Sequence, residues 1–125
     1  MQGQIIGEPY AGTHNAGNWE SDNAIDISAH EGSPVFAVAD GVIGPQFGTI
    51  PSADSSHAGL RVHIQTANNE FYYGHLSSFA PGLAPGAQVR LGQHLGYSGT
   101  ANGVPHLHFA SRVGDPRYFY LGSVI

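Results

Sequence analysis

The stretch GLRVHIQTANNEFYYGHLSS (Gly59–Ser78) decides the fold class. Apolar residues alternate with polar ones through Leu60, Val62 and Ile64, an Asn-Asn-Glu follows, and a second run rich in aromatics begins at Phe71. Alternation is the period of a β-strand, whose successive side chains point to opposite faces. Two such runs around a turn-forming Asn-Asn-Glu predict a β-hairpin.

Outward from that hairpin, short apolar runs separated by turn residues recur in NAIDIS (Asn23–Ser28), PVFAVADGVIG (Pro34–Gly44), QVRLGQHLGYSG (Gln88–Gly99) and PHLHFASRV (Pro105–Val113). Five or six strands are expected, with Asp40-Gly41 as a second hairpin turn. No amphipathic helix is expected, and HLSSFAPG (His75–Gly82) is the one place for a short helical turn. Residues 1–22 read as a loop-rich lead-in, and GPQFGTIPSADSSHAG (Gly44–Gly59) as a loop at the rim of the sheet. The 18 glycines and eight prolines, scattered without a period, suit many tight turns in an all-β domain. At 125 residues the chain is expected to form one domain over 1–125.

Four Lys and Arg against nine Asp and Glu leave a formal charge of −5, and no basic stripe is present to follow a nucleic acid. No apolar run is long enough for a membrane span, and the N-terminus MQGQIIGEPY lacks the basic start and apolar stretch of a signal peptide. Without cysteine, a metal would have to be held by His and carboxylate.

In PHLHF (Pro105–Phe109), strand geometry projects His106 and His108 together on one face while Leu107 and Phe109 pack on the other. Asp26, between Ile25 and Ile27, is a charge expensive to bury unless paired or bound to metal. His75 ends an aromatic strand, after Gly74, where a backbone or ligand can approach closely.

These pieces, in this order, resemble the LytM/lysostaphin-type zinc endopeptidases, the M23 family of peptidoglycan hydrolases. AIDISAHEGSPVFAVADGVIG (Ala24–Gly44) is similar to the family's Asp strand, Gly-Ser-Pro-Val turn and following hairpin; YYGHL (Tyr72–Leu76) to its Tyr-x-His-Leu motif. GAQVRLGQHLGYSG (Gly86–Gly99) is similar to its Gly- and Gln-bearing hairpin, and PHLHF to its His-Leu-His-Phe. The resemblance runs from about Asn23 to Phe109 and implies a mostly antiparallel, lysostaphin-like sheet with an open groove. It also implies Zn²⁺, with Asp26 and His108 as ligands and His75 and His106 as the two catalytic histidines. Which of those two is the general base stays open.

One departure matters. The family takes a ligand from a His four residues before the Asp, and Asp22 stands there. The preferred replacement is His14, in GTHNAGNW (Gly12–Trp19), on a loop long enough to fold back; the competing readings are Asp22 itself or a degenerate site. Ala110, where the family often has Glu, and Val104 are lesser departures. His63 is expected to be an ordinary strand-face residue, and His30, His57 and His94 to be solvated. Trp19, Phe47, Tyr72 and Tyr73 suit the core better than a substrate cleft.

The implied activity is zinc-dependent hydrolysis of peptide bonds in bacterial peptidoglycan, in a cross-bridge or stem peptide, outside the cytoplasmic membrane. The source would be a cell-wall enzyme or a phage lysin or virion protein. The rival is a metal-free, non-catalytic module of the same scaffold that binds the cell wall or a partner. The absent His at position 22 favours that rival, and the joint presence of Asp26, His75, His106 and His108 opposes it. A lipoyl-type carrier, which shares the second hairpin motif, is opposed by the lack of a Lys in the required turn.

Overall fold

The computed structural model describes residues 3–47, 60–101 and 103–120; His57 and the side chain of Phe47 lie outside the described residues. Among the described residues, nine strands make one sheet: β1 (Ile5–Gly7), β2 (Ala24–Ser28), β3 (Pro34–Phe36), β4 (Gly41–Phe47), β5 (Leu60–Gln65), β6 (Glu70–Phe79), β7 (Gln88–Val89), β8 (His94–Ala101) and β9 (Val104–Ser111). Their order is β1-β2-β9-β8-β6-β5-β4-β7, with β3 also on β8 and β6 also on β9. Every pairing is antiparallel.

The hairpin expected from Gly59–Ser78 forms. Gln65 pairs with Glu70, and the turn closes where the Thr66 N–H donates to the Asn69 carbonyl at 2.9 Å and the Asn69 N–H to Thr66 Oγ1 at 3.0 Å. Asp40-Gly41 is a different case. The strands flanking it do not pair: β3 joins β8 while β4 joins β5 and β7. A tight hairpin would need positive φ at Gly41, and Gly41 does not have it. Gly41 instead permits close approach, since a Cβ there would stand 2.6 Å from the Gln65 carbonyl oxygen. Asp40 accepts from the Leu91 N–H at 2.7 Å and so ties the crossover to the loop after β7.

HLSSFAPG holds no helical turn up to Phe79, because β6 runs on and pairs Ser78 with Tyr97 and Phe79 with Gly96. The helices among the described residues lie elsewhere, each of four residues: α1 (Trp19–Asp22) and α2 (Pro116–Phe119). Asn18 caps α1, its side chain accepting from the Ser21 N–H at 2.9 Å. Asp115 caps α2 ahead of Pro116, a start signal that the sequence carries openly in DPRYF. Part of the lead-in is therefore ordered as β1 and α1.

The core lies on one side of the sheet. Ile25, Ile27, Val35, Ile43, Val62, Ile64, Phe71, Tyr73, Leu76, Leu95, Leu107 and Phe109 are buried together, each aliphatic or aromatic side chain contributing about 1.5–3 kcal/mol of transfer free energy. Tyr73 belongs there, its hydroxyl accepting from the Val38 N–H at 2.9 Å. Burial pushes its phenol well above the usual tyrosine range.

Candidate metal and active site

The odd-and-even logic of β2 and β9 builds the site. Asp26 pairs with His108 and Ser28 with His106, so alternation that sends Ile25, Ile27, Leu107 and Phe109 into the core sends Asp26, His106 and His108 to the opposite face. His108 Nδ1 lies 3.1 Å from Asp26 Oδ1, and His106 Nε2 lies 3.5 Å from the same oxygen.

His75 arrives by a broken rule. Phe71 and Tyr73 face the core, so strict alternation would bury His75 beside them, yet Leu76 takes the core position. On β5 the step from Leu60 to Val62 spans two residues, while their partners Leu76 and Tyr73 are three apart, leaving one extra residue on β6. His75 adopts φ +60°, a left-handed conformation uncommon outside glycine, at the point where β6 leaves β9 for β8. The bulge inverts the phase and sets the His75 ring 4.9 Å from that of His106 and 5.4 Å from that of His108, centre to centre. Strain of this kind gathers at functional sites.

His14 comes from the lead-in. Its loop is pinned to α1, with the Tyr10 N–H donating to the Asp22 carbonyl at 2.7 Å and the Gly17 N–H to Asp22 Oδ2 at 3.1 Å. His14 Nε2 reaches to 3.2 Å from Asp26 Oδ2, and its ring meets that of His108 edge-on at 5.1 Å. Gly7 leaves room for the carboxylate, since a Cβ at that position would lie 2.5 Å from Asp26 Oδ2. Asp22 is used as the clamp of this loop, and the donor atoms that gather within 4.8 Å of one another belong to His14, Asp26 and His108.

Backbone carbonyls set the tautomers, because a carbonyl can only accept. His14 Nδ1–H donates to the Glu8 carbonyl at 2.7 Å, His108 Nε2–H to the Glu20 carbonyl at 2.6 Å and His106 Nδ1–H to the Val104 carbonyl at 2.8 Å. In the neutral imidazoles the other nitrogen of each ring carries a lone pair, and all three lone pairs point toward the Asp26 carboxylate. Lone pairs facing a carboxylate repel unless a cation lies between them. A proton is one such cation: the hydrogen bond with Asp26 raises the His14 pKa above its usual value against the opposing effect of burial. Burial acts to raise Asp26, but hydrogen bonds from His108 and His14 and the charges around it outweigh burial and hold the carboxyl far below the usual range. Two imidazole nitrogens and a carboxylate, each imidazole oriented by a second hydrogen bond, form a donor set that zinc accepts.

The other histidines divide. His30 is exposed as expected, whereas His94 is half-buried, its Nε2 2.9 Å from the Gly96 carbonyl oxygen. His63 is buried on the site's own face, across from Tyr72, and lies 3.3 Å from Glu20 Oε2. Tyr72 is buried with Ala24 and Ala110, the half-buried Trp19 packed against them, in a small cluster beside His108 and so lies outside the main core. Its ring, 3.0–3.2 Å from where a Cβ of Gly74 would stand, is the group that comes close to that glycine.

Comparisons with known proteins bear on the family and the fold. Residues 20–118 match the model of peptidase family M23. The DD-carboxypeptidase/endopeptidase Mpg of Neisseria meningitidis is 38% identical over 102 residues, 78% of this chain, although the chain spans only 22% of that protein's length. Among solved structures, Csd3 of Helicobacter pylori superposes with a TM-score of 0.70 at 26% identity, over 100% of this chain and 33% of that one. The antimicrobial peptidase lysostaphin from Staphylococcus simulans gives 0.68 at 26% identity, over 98% of this chain and 50% of the other. The match of family model and relatives across most of the chain, on a sheet of the same architecture, makes it a member of peptidase family M23.

Proposed function

We propose that the chain is a zinc-dependent endopeptidase that hydrolyses peptide bonds in bacterial peptidoglycan. The observation that carries this reading is the convergence of three lone-pair donors, His14 Nε2, Asp26 and His108 Nδ1, within 4.8 Å of one another, with both imidazoles oriented by backbone carbonyls. Those three residues would hold the metal. Zinc bound there supplies a Lewis acid and brings the pKa of a coordinated water near neutrality.

The remaining chemistry belongs to the chain. His106, fixed by its Nδ1–H on Val104, presents Nε2 to take the proton of the attacking water and return it to the leaving amine. His75 stands against His106, where its ring can hydrogen-bond the oxyanion of the tetrahedral intermediate. Positioned acid–base groups of this kind contribute about 10²–10⁴ in rate. Asp26, already ionised across the working range, keeps one negative charge at the centre.

The substrate is the peptide part of peptidoglycan, a stem or a cross-bridge bond, which places the action outside the cytoplasmic membrane, whether the chain serves a cell-wall enzyme or a phage lysin. The Neisseria relative carries the name DD-carboxypeptidase/endopeptidase, which supports a peptidase activity. The test is hydrolysis of purified peptidoglycan peptides and of oligoglycine by the zinc-loaded protein, analysed by mass spectrometry. Cleavage that is abolished by chelator and restored by zinc is expected. Tight zinc binding with no bond cut in either substrate would favour a non-catalytic binding module.

A further inference from the structure

Glu20 faces two histidines at once. Its main-chain carbonyl accepts from His108 Nε2–H at 2.6 Å, while its carboxylate accepts from His63 Nε2–H at 3.3 Å. Glu20 sits in α1, a helix of four residues that is too short to hold itself in water and must be clamped from outside. His63, on β5, is 3% exposed, and its Nδ1 is buried with no hydrogen-bond partner among the described residues, so its one polar contact is spent on Glu20. The rings of Trp19, His63, Tyr72 and His108 form a continuous run, with successive centres 5.8, 5.0 and 5.8 Å apart.

We propose that Glu20 and His63 are positioning residues: the His63–Glu20 hydrogen bond anchors α1 so that the Glu20 carbonyl holds the His108 ring with Nδ1 turned to the Asp26 site. This rests on the reading of His108 as a ligand. Neither residue touches the reacting atoms. Their contribution is to hold one ring and one protonated nitrogen in place, the kind of support whose loss typically lowers metal affinity about ten- to a hundredfold.

The experiment pairs two readouts on the full chain. Proton–nitrogen NMR of the metal-free protein follows exchange of the His108 Nε2–H, and competition titration with a chromophoric chelator gives zinc affinity. Wild type should show a slowly exchanging Nε2–H. Glu20→Ala and His63→Phe should accelerate its exchange and weaken zinc about ten- to a hundredfold, while Glu20→Gln, which keeps an acceptor, should stay within about threefold of wild type. Wild-type exchange and affinity in both Glu20→Ala and His63→Phe would overturn the proposal, as would a Glu20→Gln variant as impaired as Glu20→Ala. If His63→Phe does not fold, the two Glu20 variants decide the matter, since that side chain is 30% exposed. A wild type that binds no zinc would sink the proposed function, and the exchange of the metal-free protein would still decide this one.

Discussion

The two faces of β2 and β9 are built from neighbouring residues, and on β9 they are almost equally buried, yet they do opposite things. Ile25, Ile27, Leu107 and Phe109 are 0% exposed among other apolar groups, and one residue away His106 and His108 are 7% and 9% exposed around a carboxylate. Burial on the first face removes apolar surface from water and stabilises the fold. On the second it crowds lone pairs and charge into a space that only a cation relieves. Burial alone therefore does not distinguish core from site; the pairing chemistry does.

The largest effects should come from exchanging the roles of adjacent residues. Phe109→Ala should destabilise the protein by about 3–5 kcal/mol, read by urea unfolding, while leaving the zinc stoichiometry of the folded fraction unchanged. His108→Ala should do the reverse, abolishing zinc binding in a titration with far less effect on the metal-free unfolding midpoint. Loss of zinc in the folded Phe109→Ala protein would mean that the faces are not independent.

Within the site face, His106→Ala and His75→Ala should keep zinc near wild-type affinity and lower peptide cleavage by about 10²–10⁴. If either loses the metal, the division between ligand and catalyst has to be redrawn.

Much of this contrast was legible in the sequence, because the alternation around Asp26 and in His106-Leu107-His108 sorts residues to faces by strand geometry alone. His75 was visible as a family-like motif, but its orientation was not: the bulge and positive φ that turn it to the site leave no periodic signal. Asp40-Gly41 misled because the same dipeptide serves a tight turn or a close approach, and only the partner strand decides which. His63 passed as an ordinary face residue because its partner, Glu20, lies 43 residues away on a helix too short to show a period. Asp115-Pro116 carries a capping signal, but the helix it starts is only four residues long and shows no period in the sequence.

A smaller effect concerns pH in the metal-free protein. The raised His14 pKa contributes stability that is fully present below about pH 6.5 and is lost as pH rises through the higher folded value. The depressed Asp26 pKa contributes stability present above about pH 4 and lost as pH falls toward the folded value. Unfolding free energy measured in chelator should therefore be greatest between about pH 4 and 6.5, with an alkaline decline that His14→Ala flattens. Zinc should shift the maximum upward, because the ligands bind it deprotonated. An alkaline decline unaltered in His14→Ala would show that another group is responsible.

The proposed metal site draws a ligand from His14, a loop residue twelve positions before Asp26, in place of the position four before it. The most direct test is a zinc competition titration of wild type, His14→Ala and Asp22→Ala under one set of conditions. One zinc per wild-type chain is expected, with an affinity at least about a hundredfold weaker in His14→Ala and only a modest loss in Asp22→Ala, which loosens the loop but removes no ligand. Zinc stripped by Asp22→Ala and bound as in wild type by His14→Ala would contradict it.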